Sequence, residues 1–451
     1  MFIKKSKSNF KHLLFLVILA VIISGGIFVY TKYTIKKIDS LGSFVKIQKI
    51  EKRKPFYLKL LENIKEDLVF QQVDFLEVNL SAMKVMLYER GLAIKELAIL
   101  KKGDPQDWGG SAVGLYEIMS GNELSFSAVS SVYMPYALRY YGKYYIHGDP
   151  YYSWGETLDS SVSGGCINLS NEDANTTYEL TELDMPVLVI DKKRDSFLYS
   201  NKKKSKLPEV SAQGYLVADL DSGYVFAEKN SQKQFSIASL TKLMTAVVVA
   251  ENVDLRRSIL VKEEMLEAYG STEGLEADKR FRVVELFYPL LIESSNDAAE
   301  VLSYFLGKEK TIRLMNEKAK AILMEQTTYV DPSGFDPENI STASDLFYLA
   351  KYLLDVRPPI LEITKGEKVL SFGEIDFKIE DLWNKNVFIE DPTFIGGKTG
   401  FIKTSKDTAV FIFRLITAGG AERNVAIILL ASEDEKVDTQ KIYTWLHKDH
   451  F

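Results

Sequence analysis

"SIASLTKLM", residues 236–244, sets a serine three places ahead of a lysine inside an apolar run. On a helix, Ser239 and Lys242 at i and i+3 share one face. The run continues as SLTKLMTAVVVAENV, which reads as a buried helix. At its first turn the helix dipole favours negative charge developing near Ser239. A desolvated Lys242 would be neutral enough to take the serine proton. An S-x-x-K tetrapeptide alone is common, and most copies lie on surface helices, so its meaning depends on its company.

Two more elements follow. "ESSNDAAE" (293–300) supplies Ser294, Ser295 and Asn296, and "IGGKTGFIKTS" (395–405) supplies Lys398, Thr399 and Gly400. Each is weak alone. The three in this order, at separations of 55 and 104 residues, form a strong signal. Residues 211–445 resemble the penicillin-binding serine D,D-peptidases, specifically the D-alanyl-D-alanine carboxypeptidase family. "YVDPSGFDPENISTASDL" (329–346) and "WNKN" (383–386) support that family over others. The resemblance implies that Ser239 is acylated and that Lys242 is its base. It implies that Ser294 relays protons, Asn296 holds the substrate amide, and Lys398 and Thr399 grip the terminal carboxylate. The backbone N–H groups of Ser239 and Phe401 would form the oxyanion hole. Class A β-lactamases share the three elements but need a further Glu, and no E-x-x-L-N-like stretch lies between Asn296 and Lys398. The usual Ala-Gly after K-T-G-[FY]-T is Ser405-Lys406 here, which leaves the start of the following strand open.

The surrounding pattern agrees. "GYLVADLDSGYVFAEK" (214–229) reads as a hairpin turning at Asp221-Ser222-Gly223. Amphipathic helices are expected from about 284 to 355. "TAVFIFRLITAGGAERNVAIILLAS" (408–432) reads as two strands joined by a Gly-Gly turn, and a short helix closes the chain. Helices between terminal strands predict an α+β domain whose sheet combines both ends of the segment.

The chain's single cysteine lies upstream, in "SVSGGCINLSNEDA" (161–174). A thiol with an ordinary pKa of about 8.5 needs a base or dipole to act as a nucleophile. Of four histidines, only His147 lies in the same region as Cys166, so it is the partner by elimination if the cysteine is catalytic. A histidine beside the thiol would hold it as an ion pair and make it reactive below neutral pH. Gly164 and Gly165 let the backbone turn closely, so that amides there could face an oxyanion. On composition alone a buried cysteine acting as a small, inert hydrophobe is the more natural reading.

The local sequence resembles the L,D-transpeptidase catalytic family, over roughly residues 73–191. "IHGDP", a spacer and "SGGCINLSNEDA" carry the resemblance, with "SAVGLYEI" (111–118) and "MPYALRYYGKYYIHG" (134–148) leading up to the histidine. It implies that Cys166 is the acylated nucleophile and His147 its base, with Ser163, Gly165 and Asn168 shaping the site. Gly164 stands where that family often has His, and Ala112-Val113 where it has Thr-Pro.

The N-terminus adds a third feature. His12 to Tyr30 gives 19 residues without Lys, Arg, Asp or Glu, long enough to cross a bilayer as a helix. Lys4, Lys5, Lys7 and Lys11 precede it, as a cytoplasmic tail would have. A cleaved signal peptide is the competing reading, though Ser24-Gly25-Gly26 makes a poor cleavage site.

The expected architecture is multidomain. A cytoplasmic tail (1–11) is followed by a transmembrane anchor (12–30) and a stalk (31–72). A mostly-β L,D-transpeptidase domain (73–191), a basic linker (192–210) and an α+β penicillin-binding/β-lactamase-like domain (211–451) complete it. Net charge is −6 at 26% charged residues, which argues against nucleic acid as the main partner. One cysteine excludes an intramolecular disulfide and a multi-cysteine metal site, and no metal or organic cofactor is expected.

The implied function is a bifunctional peptidoglycan enzyme on the bacterial cell membrane, both catalytic domains outside the cytoplasm. Its partners would be stem peptides, with β-lactams as inhibitors. A wall-binding or β-lactam-sensing protein that keeps both pockets but has lost turnover is the alternative, told apart by acylation without release. A papain-like thiol hydrolase is a further rival, but it lacks the expected C-G-S-C-W-like context.

Overall fold

The computed structural model describes residues 58–191, 197–199, 205–266, 275–369 and 371–451. The expected anchor at 12–30 lies outside them. Among the described residues no helix is long and apolar enough to cross a membrane. All of them belong to one compact unit, Lys54–Phe451.

The N-terminal half is mostly β. A five-stranded sheet runs, in spatial order, Leu92–Ala98, Lys84–Glu89, Phe75–Asn79, Pro186–Ile190, Gly114–Glu117. Phe75–Asn79 is buried almost throughout because it lies mid-sheet, antiparallel to Lys84–Glu89 and parallel to Pro186–Ile190. A second sheet joins Ser120–Ser127, Val132–Tyr141, Tyr144–His147 and Ile167–Asn168. Its last pair is parallel, Ile146 opposite Ile167 and His147 opposite Asn168. The "SNEDA" run forms the start of the helix Asn171–Leu180, with the Ser170 hydroxyl accepting from the Asp173 amide as its N-cap.

The C-terminal half is α+β, with the predicted strands in one antiparallel sheet. The order is Val225–Lys229, Gly214–Asp219, Glu422–Ser432, Lys406–Ile416, Phe394–Ile402. Strand alternation splits the sheet's two faces. Leu216, Val410, Ile412 and Ile428 pack on the helical body, while Val217, Phe411, Phe413 and Ile427 pack under Ile442, Trp445 and Leu446 of the closing helix Glu435–Asp449. The helix Thr241–Asn252 runs through the body, buried from Thr241 to Glu251, which its all-round apolar sequence requires. Further helices span Val283–Tyr288, Asn296–Tyr304, Lys308–Ala321, Ala343–Val356 and Pro358–Lys365.

The two halves are not beads on a connector. Trp108 is buried in the core of the C-terminal half, its ring 5.3 Å from Phe287, and Ala321 enters the core of the N-terminal half. Within the expected stalk, Ile64–Phe70 is helical with Ile64 and Leu68 buried, and the Leu58 amide donates to Gly223 O. Of the segment read as a linker, Tyr199 is buried and its hydroxyl donates to Asp219 at 2.7 Å.

Candidate active sites

The serine site begins with a strained turn. Ala238 has φ 45°, uncommon for a residue with a side chain, and opens a single 3-10 turn, Ala238–Leu240, that leads into the 241–252 helix. Ser239 is therefore offered ahead of the α-helix, with Lys242 one turn along. Lys242 Nζ lies 2.9 Å from Ser239 Oγ, 2.7 Å from Asn296 Oδ1 and 2.6 Å from Ser333 O. Burial pulls the lysine down to about 7, against the opposing charges of Asp331 and Glu300. A neutral amine has two N–H donors and one lone pair. Asn296 Oδ1 and Ser333 O accept hydrogens only, so the lone pair is left to Ser239 Oγ. That is the arrangement a general base needs.

Ser333 is a contact that the motif reading did not single out. The turn 331–336 is organised by Asp331, which accepts from the amides of Ser333 (2.6 Å), Gly334 (2.6 Å) and Asp336 (2.8 Å) and from the Ser333 hydroxyl (2.8 Å). Burial opposes the carboxylate's charge, but these bonds outweigh it and hold Asp331 below the usual range. Gly334 has φ +81°, and a Cβ there would lie 1.9 Å from Ala238 O, so this turn must carry glycine to pass beneath the serine. An Asp followed three places on by Gly was the available signal, read in the sequence only as family resemblance.

Asn296 is joined to Lys242, while Ser294 is not. Ser294 takes a left-handed conformation (φ 66°) at the end of Pro289–Glu293, and its side chain makes no hydrogen bond among the described residues. Lys398 is fully buried on the edge strand Phe394–Ile402, and its Nζ donates to Thr399 O at 2.8 Å. Burial, then the charges of Lys242 and Lys385, pull it well below the usual lysine value. Gly400 lies against the serine turn: a Cβ there would be 2.8 Å from the Ser239 amide nitrogen. Thr399 is half-buried beside it, and the Phe401 side chain is 67% exposed. "WNKN" latches the site from behind. Asn384 and Asn386 donate to Thr364 O, and the Lys385 amide donates to Ile292 O next to the Ser294 turn.

The cysteine site is built on the parallel pair 144–147 and 167–168. Alternation puts Cys166, just ahead of Ile167, on the sheet face that also carries His147. His147 Nδ1 lies 2.7 Å from Gly148 O. A carbonyl only accepts, so the proton sits on Nδ1 and Nε2 keeps its lone pair. Burial lowers this histidine to about 4 and raises the Cys166 thiol to about 11, the Tyr145 amide and Lys143 opposing the latter. The resting pair is thus a neutral imidazole and a thiol, not the ion pair expected from the sequence. No hydrogen bond joins them; the thiol points at Lys143 O, 3.8 Å away.

Ser163 Oγ donates to Cys166 O at 2.5 Å and accepts from the Gly165 amide at 3.1 Å, closing the turn that carries Cys166. The Gly165 amide is therefore already engaged. Gly164 is open, with no atom within 4 Å of a Cβ built there. Asn168 is buried and held through its backbone, its amide donating to Lys101 O and its carbonyl accepting from Leu100. Gly148 packs so closely on Asn171 that a Cβ would meet Asn171 Oδ1 at 2.3 Å, which seats the His147 turn on the 171–180 helix.

Comparison with known proteins separates the two sites. The sequence profile of the D-alanyl-D-alanine carboxypeptidases matches residues 201–430. The chain belongs to the D-alanyl-D-alanine carboxypeptidase family. The profile of the L,D-transpeptidase catalytic domain matches residues 74–189. Among curated relatives, the D-alanyl-D-alanine endopeptidase of Haemophilus influenzae is 34% identical over 45% of this chain and 70% of its own length. The carboxypeptidase DacB2 of Mycobacterium tuberculosis is 29% identical over 45% of this chain and 71% of its own length. The carboxypeptidase DacC of Escherichia coli is 30% identical over 53% of this chain, which spans 62% of that relative. None of the three is named an L,D-transpeptidase, so the resemblance around Cys166 rests on the profile match to residues 74–189.

Proposed function

We propose that the protein is a bifunctional, membrane-anchored peptidoglycan enzyme. Ser239 trims the terminal D-Ala from stem pentapeptides, and Cys166 uses the resulting tetrapeptide as acyl donor for cross-linking. The observation that carries this reading is Lys242, whose two acceptors leave its lone pair to Ser239 Oγ. In the first reaction Nζ takes the hydroxyl proton as Oγ attacks the carbonyl before the terminal D-Ala. D-Ala leaves as the protonated amine, and water hydrolyses the ester. Asn296 receives the substrate amide, Lys398 and Thr399 hold the terminal carboxylate with Gly400 beside them, the amides of Ser239 and Phe401 receive the oxyanion, and Ser294 relays protons once its hydroxyl turns toward Lys242.

In the second reaction His147 Nε2 takes the thiol proton as sulfur attacks the L–D peptide bond of the tetrapeptide. The terminal residue leaves as its amine, taking that proton from His147, and an acceptor then bonds to the acyl carbon, gives its own proton to His147 and releases the thiol. Ser163, Gly165 and Asn168 shape that site. Tethering the two reactions raises the local concentration of the second enzyme around the product of the first. The span 12–30 holds both outside the cytoplasm. Penicillins, which mimic the D-Ala-D-Ala terminus, acylate Ser239, and carbapenems label Cys166 as well.

Mass spectrometry of stem-peptide products tests this. Cys166→Ser keeps D-Ala release from pentapeptide and loses tetrapeptide-dependent cross-linking; Ser239→Ala does the reverse. Either substitution silencing both reactions on isolated substrates overturns the two-site reading.

A further inference from the structure

The cysteine site leans on the serine half through two residues, Lys143 and Tyr144. Lys143 Nζ donates to Ala250 O (3.0 Å) and Val253 O (3.2 Å), at the C-terminal end of the helix that carries Lys242 at its other end. The Lys143 carbonyl is the acceptor facing the Cys166 thiol. Tyr144 is fully buried, and its ring lies against Gly165: a Cβ on Gly165 would sit 2.2 Å from Tyr144 Cε1. Gly165 has φ +114°, so its open side and its conformation are both shaped to receive that ring.

The Tyr144 hydroxyl accepts from Arg357 Nη2 at 2.6 Å. Arg357 comes from the serine half, directly after the helix Ala343–Val356, and is wholly buried. It is neutralised by Glu251 at 2.9 Å and donates to Val356 O at 2.8 Å. Those two contacts would serve a purely internal role in the serine half. The others cross over, to Tyr144 and to Gly110 O at 2.7 Å. Gly110 follows Gly109, whose carbonyl also borders Gly165. A buried guanidinium is expensive, and every bond it makes constrains its neighbours.

We propose that Arg357 is a positioning residue for Cys166: by fixing the Tyr144 hydroxyl it holds the ring that braces Gly165 and keeps the nucleophile's turn in register. The proposal rests on the reading of Cys166 as a nucleophile. It makes a residue of the carboxypeptidase half part of the second site's support.

The test uses the full chain, in which iodoacetamide alkylation of the single cysteine is read at Cys166 by peptide mass. Tyr144→Phe keeps the ring and removes the acceptor; Arg357→Gln removes the donor. In Tyr144→Phe the alkylation midpoint moves at least about one pH unit down, toward the free-thiol value near 8.5. The kcat of the cysteine reaction falls about tenfold with KM unchanged, and D-Ala release is unaltered. The double variant loses less than the sum of the two single losses, because the Arg357–Tyr144 bond is counted in both, and the remainder reports the bond of Arg357 to Gly110 O. An unchanged alkylation profile in Tyr144→Phe, additive losses, or equal loss of both activities overturns the proposal. Absence of cysteine turnover in the wild type counts against the nucleophile reading only, and the alkylation profile still decides this one. If Arg357→Gln does not fold, Tyr144→Phe decides alone.

Discussion

Lys242 shows what one residue's surroundings do. Buried, it titrates near 7, whereas an exposed lysine keeps its charge to about 10.5. As a base it works only when neutral. Acylation of Ser239 by penicillin should therefore rise about tenfold per pH unit below about 7 and level off above it. Stopped-flow or intact-mass kinetics from pH 5 to 9 would check this, and a rate flat across that range would remove Lys242 as the base. Stability carries the matching sign. Between about 7 and 10.5 the unfolded chain holds a proton on Lys242 that the folded chain does not, so this residue makes the fold more stable as pH rises through that window. His147 follows the same physics: burial keeps it neutral, and the Gly148 carbonyl decides which nitrogen keeps the lone pair.

At the scale of elements, the serine site depends on an edge strand. Phe394–Ile402 pairs on one side only, with Lys406–Ile416, and brings its other flank to the Ser239 turn. Gly400 permits the approach by having no Cβ. Gly400→Ala would set a methyl 2.8 Å from both the Ser239 amide nitrogen and Thr408 Oγ1 and 3.1 Å from Ile237 O. Backbone cannot yield as a flexible side chain would. The expected cost is about 1–3 kcal/mol of stability and a loss of penicillin acylation of about a hundredfold or more. Thermal melts and acylation rates measure the two effects, and wild-type acylation in a folded Gly400→Ala would dismiss the role given to this contact. In the other half, the helix 171–180 does similar work, its N-cap Ser170 and Asn171 fixing the turn after His147.

Across the whole molecule, the interface between halves is a core rather than a contact. Glu251 pairs with both Lys318 (3.0 Å) and Arg357, all three unexposed. Burial works against the Glu251 charge, but the two cations outweigh it and hold the carboxyl below its usual range. Lys318 also donates to Tyr116 (2.7 Å) and Tyr352 (2.8 Å), one from each half. Removing one member of such a buried cluster strands the others, which ties the halves' stabilities together. Residues 58–451 should therefore unfold as one calorimetric transition, and two well-separated endotherms would refute the coupling. Trp108→Ala empties the space beside Phe287 and should cost about 3–5 kcal/mol, lowering the melting point of both halves together.

The sequence by itself determined the fold classes of the two halves, the strand pairing at both ends of the serine half and the placing of Ser239 one turn from Lys242. Those features are local. Alternation, helical spacing and turn residues are written into consecutive positions, and Ser239–Lys242 needs only one turn to meet. What only the tertiary structure decided depends on burial and on neighbours distant in the chain. The lowered pKa of Lys242 and the neutrality of the Cys166–His147 pair follow from desolvation, which no motif records. Ser333 reaches Lys242 across 91 positions, and Arg357 reaches Tyr144 across 213. The basic stretch at 192–210 has the composition of a solvated connector, yet the halves it joins share buried side chains. Composition reports how a segment meets water, whereas the packing of Trp108 and Glu251 is fixed by surfaces that exist only once both halves are folded.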